Sequence, residues 1–285
     1  MAVVDSLSEW NVPSTRIGIA GVLALCGLSV LAIAAGRLKV LAVSWVAFAA
    51  MAGATVPGRR AARGTDARGL VWGYGLASGA MVTSAAVFLV PQAIGYDPKI
   101  GGFGVAAGLL AGFGAHTIGH RLTHLDTAFD TTAAEITAHA LSAGAIIGLV
   151  YATLPDLGLL LGLAIVSHKG PAGYAAARRL AMNGKSVSIL LLPAAGVGLT
   201  AIPASVLPIP ELPALNAAIF GFASGVFVHV AMDFLPECEA GSEVGEVAAL
   251  AGDAHDRLDR LRTHAVASTA LGGGAVLLAW ASLAL

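Results

Sequence analysis

Charged residues are scarce in this chain. Asp, Glu, Lys and Arg make up 12% of the 285 residues, whereas about 25% is usual in a soluble domain. Hydrophobic residues make up 57%, so an ordinary soluble domain is excluded. The formal net charge is -1, which provides no basic surface for nucleic acid, and no nucleic-acid partner is expected. The composition predicts a multi-pass integral membrane protein of the cell membrane, with the lipid bilayer as its surroundings.

Cysteine is almost absent. The two cysteines are Cys26, in an apolar run, and Cys238, in a polar stretch, and so small a number excludes a disulfide framework. The chain also lacks the segments of about ten alternating residues that are typical of a transmembrane β-barrel. By contrast, it contains 36 glycines, and small residues let helices approach closely in lipid. The predicted fold class is all-α, a polytopic bundle of membrane helices.

Nine apolar runs approach the roughly 20 residues that a helix needs to cross a bilayer. The first run follows Asp5 and Glu9, an acidic start that is unlike a secretory signal, so we predict a retained helix. The connection at 36–39 is very short, and an alternative is that one of the two runs beside it is only partly inserted. The predicted spans are 17–36, 38–56, 70–93, 101–121, 131–153, 157–181, 187–209, 214–236 and 264–284.

Basic residues are distributed unevenly between the predicted loops. With the amino terminus in the cytoplasm, Arg37, Lys39 and Lys99 lie in outside loops and Lys169 lies within a span. The remaining 12 of the 16 Lys and Arg residues then face the cytoplasm. Because short cytoplasmic loops carry an excess of Lys and Arg, the sequence predicts this orientation.

Two histidines lie deep in neighbouring predicted spans, in a helix pair at residues 130–182. His139 is about eight residues from the start of its span and His168 about eleven, roughly 12 Å and 16 Å along a helix. Ionisable groups at that depth are costly and usually face a bundle interior or a water-filled path, and imidazole is a favoured ligand of zinc-like metals. We therefore predict that His139 and His168 are central metal ligands. The alternative is two packed, hydrogen-bonded histidines.

Three further residues are predicted to bind metal along a path from this centre. Glu135 precedes His139 by four residues and shares its helix face. His229 and Asp233 have the same spacing, toward the cytoplasmic end of their span. For His229 the alternative is an interhelical hydrogen bond, which contributes about 0.6 kcal/mol on average in membranes.

Each of two polar stretches is compatible with two interpretations. His116, His120 and His124 have helical spacing, which fits either a metal-collecting stripe or a solvated helix end. The acidic stretch 237–264 is predicted to be a solvated, amphipathic cytoplasmic loop. Its alternative is a metal-buffering or regulatory loop, although ligand type alone selects a metal only loosely.

Four short stretches of the sequence share a pattern with one family of membrane proteins. In HALSAG and HKGPAG, His139 and His168 are each followed five residues later by glycine. Two other stretches end in similar triplets, Val90-Pro91-Gln92 and Leu235-Pro236-Glu237. Val90-Pro91-Gln92, HALSAG, HKGPAG and Leu235-Pro236-Glu237 resemble, respectively, the motifs of the second, fourth, fifth and seventh helices of the ZIP family of divalent-metal transporters.

The sequence also departs from the ZIP pattern. The acidic residue that the family has four positions after each histidine is replaced here by Ala143 and Ala172. Because residues at that spacing share a helix face, the loss of both carboxylates predicts that the family's two-metal site is largely gone. Lys169 follows His168, and its ammonium is a candidate electrostatic substitute for the second ion. In the sixth helix, Leu192 and Pro193 stand where the family has Glu-Pro.

The resemblance implies an eight-helix, ZIP-like core at 38–285 and an amino-terminal segment with one extra helix at 1–37. It also implies a metal path between the fourth and fifth core helices, and a homodimer. The function expected from it is transport of divalent metal ions toward the cytoplasm, of zinc first, with manganese and iron as alternatives. The metal is the substrate, and no cofactor is expected.

Two other classes of function are alternatives to transport. The missing carboxylates at positions 143 and 172 are also compatible with a transport-deficient, ZIP-like membrane protein that acts as a metal sensor or scaffold. An intramembrane metal hydrolase needs three protein ligands around an open coordination position. The sequence does not supply three ligands with family-like spacing, so the chain is not expected to be an enzyme.

Overall fold

The computed structural model describes residues 11–62, 67–122, 131–154, 159, 162, 167–210, 212–239, 242–249 and 254–284. All secondary structure in the described residues is helical. A π-helical turn, Ala85–Leu89, and a 3-10 turn, Val187–Leu190, join some of the helices. The helices are α1 (Asn11–Ala34), α2 (Leu38–Ala61), α3 (Ala67–Ser84), α4 (Val90–Tyr96), α5 (Pro98–Leu122), α6 (Thr131–Thr153), α7 (Lys169–Met182), α8 (Leu191–Ser205), α9 (Pro213–Asp233), α10 (Glu243–Ala249) and α11 (Ala254–Ala284).

Seven helical segments in the described part of the chain are long and apolar enough to cross a membrane. A helix satisfies its own backbone polar groups, which lipid does not, so these segments make the chain an integral membrane protein of the helical-bundle type. The predicted spans 101–121 and 157–181 are not among the seven. The first corresponds to glycine-rich α5, and part of the second lies outside the described residues. A ZIP-like core of eight helices with one extra amino-terminal helix therefore stays a prediction.

The short connection between α1 and α2 is a tight turn. Gly36 has a φ of 68°, a left-handed conformation that glycine adopts without a Cβ penalty. The Arg37 N–H donates to the Ala32 carbonyl at 2.8 Å, and the Gly36 N–H donates to the Ile33 carbonyl at 3.1 Å. These bonds close the end of α1. The segments on either side of the turn are separate helices, and each is long and apolar enough to span.

The third candidate span, Ala67–Tyr96, changes its hydrogen bonding in the middle. Between α3 and α4 the chain forms the π-helical turn, in which the Val90 N–H donates to the Ala85 carbonyl, five residues back. Pro91 lies in the first turn of α4, where a missing N–H leaves no helical bond unmade. The chain therefore stays helical through the proline.

Contacts divide the chain into two units, each built from three segments. The first unit comprises Met1–Ala62, Ile118–Gly162 and Ala172–Ile209. Within it, α8 is the central helix, with α1, α2 and α6 packed around it. The contact with α6 includes a hydrogen bond of 2.6 Å, which Thr200 Oγ1 donates to the Leu141 carbonyl.

The second unit comprises Arg63–Thr117, Leu163–Pro171 and Pro210–Leu285. Within it, α3 and α11 form the most extensive helix contact. Glycines make this close approach possible: a Cβ on Gly79 would meet the Thr269 backbone, and one on Gly272 would meet the Leu76 backbone. Small residues serve the same purpose in other membrane helix pairs.

A second close pair within this unit is formed by α5 and α9. The glycines of α5 occur every fourth residue and contact residues of α9 that have the same spacing, so the two helices run in the same direction. The contacting pairs are Gly104 with Gly221, Gly108 with Gly225, and Gly112 with His229.

Candidate functional site

A histidine and a carboxylate lie together at the end of α9. His229 Nε2 is 3.2 Å from Asp233 Oδ2, and the exposed fractions of the two side chains are 14% and 38%. The spacing of four residues places both side chains on one helix face. Asp233 is also the last residue of α9, where the carbonyls form the negative end of the helix dipole. The position therefore favours a cation on the side of Asp233 that solvent reaches.

A cavity of about 190 Å³ opens beside Asp233, the carboxylate of this pair. Ser242 shapes its rim, because Ser242 Oγ lies 2.6 Å from the Glu237 carbonyl and 2.8 Å from the Glu239 carbonyl. The same oxygen accepts a hydrogen bond of 3.0 Å from the Gly245 N–H. The wall carries two acidic residues, and it is lined by Tyr74, Asp233, Phe234, Leu235, Glu237, Ser242 and Val244.

His168 lies in the same unit and is completely buried. Its ring packs against Phe234, with ring centroids 5.3 Å apart and planes tilted by 58°. Phe234 also packs edge-to-face on Tyr74, at 5.5 Å, and both of these aromatic residues line the cavity. Phe234 thus touches the buried imidazole with its ring and also forms part of the cavity wall.

Lys169, the first residue of α7, is also buried, with 1% of its surface exposed. Its Nζ has no hydrogen-bond partner among the described residues. A buried polar group without a partner destabilises a fold, since its lost hydration is not replaced. The predicted role of Lys169 as an electrostatic substitute for a metal ion stays a prediction.

The other predicted ligands lie elsewhere or are not described. His139 is half-buried in α6 and belongs to the first unit, whereas His168 belongs to the second. The side chain of Glu135 lies outside the described residues, as do those of His116, His120 and His124. Among described side chains, no three His, Cys, Asp or Glu residues are grouped closely enough to hold a metal ion. The five-residue metal set therefore stays a prediction, of which the structure brings His229 and Asp233 together.

Four residues of this site were not singled out from the sequence. Phe234, Tyr74 and Ser242 shape the cavity, and Gly112 contacts His229. Aromatic residues and serines in membrane helices and loops are too common to mark a site. Gly112 did carry a signal, because the four-residue glycine spacing on α5 continues in α9 as Gly221, Gly225 and His229.

The chain was also compared with known proteins. No family model matches the sequence, and no curated protein matches it. The likeness to ZIP transporters therefore rests on the four motifs, and the chemistry of the site has to be argued from its own residues.

An imidazole nitrogen and a carboxylate oxygen are both ligands of zinc and its neighbours. A tight structural zinc site takes four protein ligands and a catalytic one takes three. The His229–Asp233 pair supplies two ligands, which leaves the other coordination positions to water. Such a pair is suited to a cation that binds and leaves again, because conduction needs sites that are not too strong.

Proposed function

We propose that this chain is a membrane transporter of divalent metal ions, in which His229 and Asp233 form a binding site at one end of the path. The observation that carries the proposal is this histidine–carboxylate contact of 3.2 Å, which lies where a candidate membrane helix ends beside an open cavity. The metal is the transported substrate, and the proposal includes no enzymatic step.

The surroundings of the pair support this role. Glu237 adds a second acidic residue to the cavity wall, which favours a cation at this end of the path, from which it is released to solvent. Behind Phe234 lies His168, a second imidazole that solvent does not reach. Ionisable groups in such positions usually belong to a substrate or ion path. We assign His168, and by its motif His139, to the interior part of that path.

The ligand types indicate the class of metal. Imidazole with carboxylate suits zinc, iron and manganese rather than calcium or copper(I), so we propose zinc as the first substrate, with manganese and iron as competitors. The distribution of Lys and Arg favours a cytoplasmic location for the His229–Asp233 end of α9. The ZIP-like motifs favour movement of the metal toward the cytoplasm and a homodimer in the cell membrane.

A transport-deficient metal sensor or scaffold is the second candidate. It is favoured by Ala143 and Ala172, which are 3% and 8% exposed and stand where ZIP motifs have carboxylates. Without these carboxylates the chain lacks two ligands for the central part of a path. Under this proposal the His229–Asp233 pair binds metal at the surface without passing it on.

The test is uptake of radioactive zinc into proteoliposomes, together with zinc binding measured by titration calorimetry in detergent. The variants are His229→Ala, Asp233→Asn and His168→Ala, with Asp259→Asn as a control, because Asp259 is an exposed carboxylate on α11. We expect each of the first three to lower uptake at least about tenfold, or ~1.4 kcal/mol of lost binding. Asp259→Asn should take up zinc like the unaltered protein.

The outcomes separate the two proposals. Saturable uptake that falls in the site variants supports transport. Zinc binding that depends on His229 and Asp233, without uptake in any protein, supports the sensor or scaffold. If the site variants bind and transport zinc as the unaltered protein does, the pair is not a metal site and the proposal is wrong.

A further inference from the structure

The His229 side chain rests on a glycine of the neighbouring helix. A Cβ on Gly112 would lie 2.5 Å from His229 Cδ2, 2.7 Å from Cγ and 2.9 Å from Cβ. These separations are far below ordinary carbon–carbon contact, near 3.5–4.0 Å. The His229 side chain therefore occupies the space that a side chain at position 112 would need, and only glycine there permits the present place of the imidazole.

This contact fixes the direction of the ring. The Cγ–Cδ2 edge of the imidazole faces the backbone of α5, and Nε2, next to Cδ2 in the ring, lies 3.2 Å from Asp233 Oδ2. A methyl group on Gly112 would collide with atoms at the base of the side chain as well as with the ring. To avoid this collision, α5 and α9 would have to separate, or the imidazole would have to turn about χ1. A turned ring no longer holds Nε2 beside Asp233.

The neighbouring glycines on α5 differ in what they contact. At Gly108 an added Cβ would meet the backbone of Phe222 and Gly225, and at Gly104 it would lie 3.1 Å from the Gly221 backbone. These two glycines let helices approach. Gly112 alone of the three contacts a side chain that also touches a carboxylate, so its effect on the site is separable from helix packing.

We infer that Gly112 is a positioning residue for the metal site: by seating the His229 imidazole, it holds Nε2 and the Asp233 carboxylate in place for one divalent cation. The inference rests on the proposed function. Partners that orient a ligand without touching the metal typically change metal affinity about 10- to 100-fold. We expect a loss of this size in zinc affinity when Gly112 is replaced by alanine.

The experiment measures the zinc dissociation constant by titration calorimetry for the full chain in detergent. Gly112→Ala is compared with Gly104→Ala, a matched control on the same face of α5. Both are repeated with His229→Leu, which keeps a bulky side chain over position 112 but has no ligand atom. The thermal midpoint of each variant is measured in parallel, since a packing defect lowers it in either background.

The expected result is a zinc affinity lowered about 10- to 100-fold in Gly112→Ala and unchanged in Gly104→Ala. In the His229→Leu background, Gly112→Ala should lower the thermal midpoint without further change in affinity. A loss of affinity of equal size in both backgrounds would show a packing role only, and so would overturn the inference. An unchanged affinity in Gly112→Ala, with a loss in His229→Leu, would overturn the inference and leave the proposed function standing. If His229→Leu itself binds zinc normally, the proposed site fails instead.

Discussion

The ring of Phe234 lies against the imidazole of His168, with centroids 5.3 Å apart, and the same phenylalanine lines the cavity beside Asp233. His168 is fully buried and is not part of the cavity wall. One aromatic side chain therefore stands between a solvent-reachable acidic cavity and an imidazole that water does not reach. We therefore expect Phe234 to limit access from the cavity to His168. The rate of chemical labelling at position 168 measures this access.

Phe234→Ala should expose position 168 to the cavity. In a background with Cys26→Ser and Cys238→Ser, a His168→Cys substitution reports access through its rate of reaction with a charged thiol reagent. Removal of the Phe234 ring should raise this rate at least about tenfold, a change in the free energy of access of ~1.4 kcal/mol. The control is Phe222→Ala, since Phe222 lies on α9, the helix that Phe234 directly follows, with 39% of its surface exposed. Equal labelling rates in His168→Cys alone, with Phe234→Ala and with Phe222→Ala would contradict the inference that Phe234 limits access to position 168.

Lys169→Met should stabilise the protein. The side chain is buried and its Nζ has no hydrogen-bond partner among the described residues, so an apolar side chain of similar length removes an unsatisfied group. The expected gain is about 1–3 kcal/mol in the free energy of unfolding, seen as a higher thermal midpoint in detergent. Lys185→Met, at an exposed position, should change the midpoint little. A lower midpoint for Lys169→Met would show that the amino group contributes to the fold.

Substitution of alanine for two glycines on α11 should change the stability of the protein in opposite directions. A Cβ on Gly272 would meet the backbone of Leu76, whereas an added Cβ on Gly274 would have, apart from its chain neighbours and the nearby backbone of α11, no atom of the described residues within 4 Å. Gly272→Ala should destabilise by about 1–3 kcal/mol through overpacking. Gly274→Ala should stabilise by roughly 0.5–1 kcal/mol, because alanine loses less backbone entropy in a helix. Both effects are measured from thermal midpoints, and similar midpoints for the two variants would contradict the close α3–α11 contact.

Cys238 should react slowly with thiol reagents, and more slowly without Arg262. Burial raises the pKa of the Cys238 thiol, and the Arg262 guanidinium opposes that shift. Since the thiolate is the reactive form, alkylation increases only as pH rises through the raised pKa. With Cys26→Ser as background, Arg262→Gln should raise the pKa further and slow alkylation at pH 8 about two- to fivefold, as expected for a solvent-screened charge. High salt should remove the difference, and an effect that persists in 1 M salt would contradict this cause.

Long apolar runs predicted the membrane helices well. The span predicted at 131–153 is the helix Thr131–Thr153, and the one predicted at 214–236 is Pro213–Asp233. The helix that contains the span predicted at 264–284 begins earlier, at Ala254. The prediction missed its first turns because their charged residues give them the low mean hydropathy of a loop. Those turns are amphipathic, with Leu258 and Leu261 buried at helical spacing. Periodicity, rather than mean hydropathy, was the signal for this extension.

The candidate site was only partly predictable. The spacing of His229 and Asp233 predicted a shared helix face, and the structure has the two side chains in contact. The cavity beside them depends on Tyr74, far away in the sequence, and on the turn that Ser242 stabilises. The contact of His229 with Gly112 likewise depends on the packing of α5 against α9. Such pairings join residues far apart in the chain, and local periodicity and spacing do not reveal them.

The π-helical turn Ala85–Leu89 has a consequence for how the chain tolerates changes in length. A turn closed by a bond from Val90 to Ala85 contains one residue more than an α-helical turn. Deletion of one residue there would restore ordinary α-helical bonding without opening a gap in the backbone ladder. Because the π turn holds its extra residue within about one circuit of the helix, the residues that follow would keep nearly their present directions. Tyr96 would then keep its stacked place, 6.1 Å from Phe220. In this stretch the chain can therefore lose one residue without turning α4 away from its neighbours.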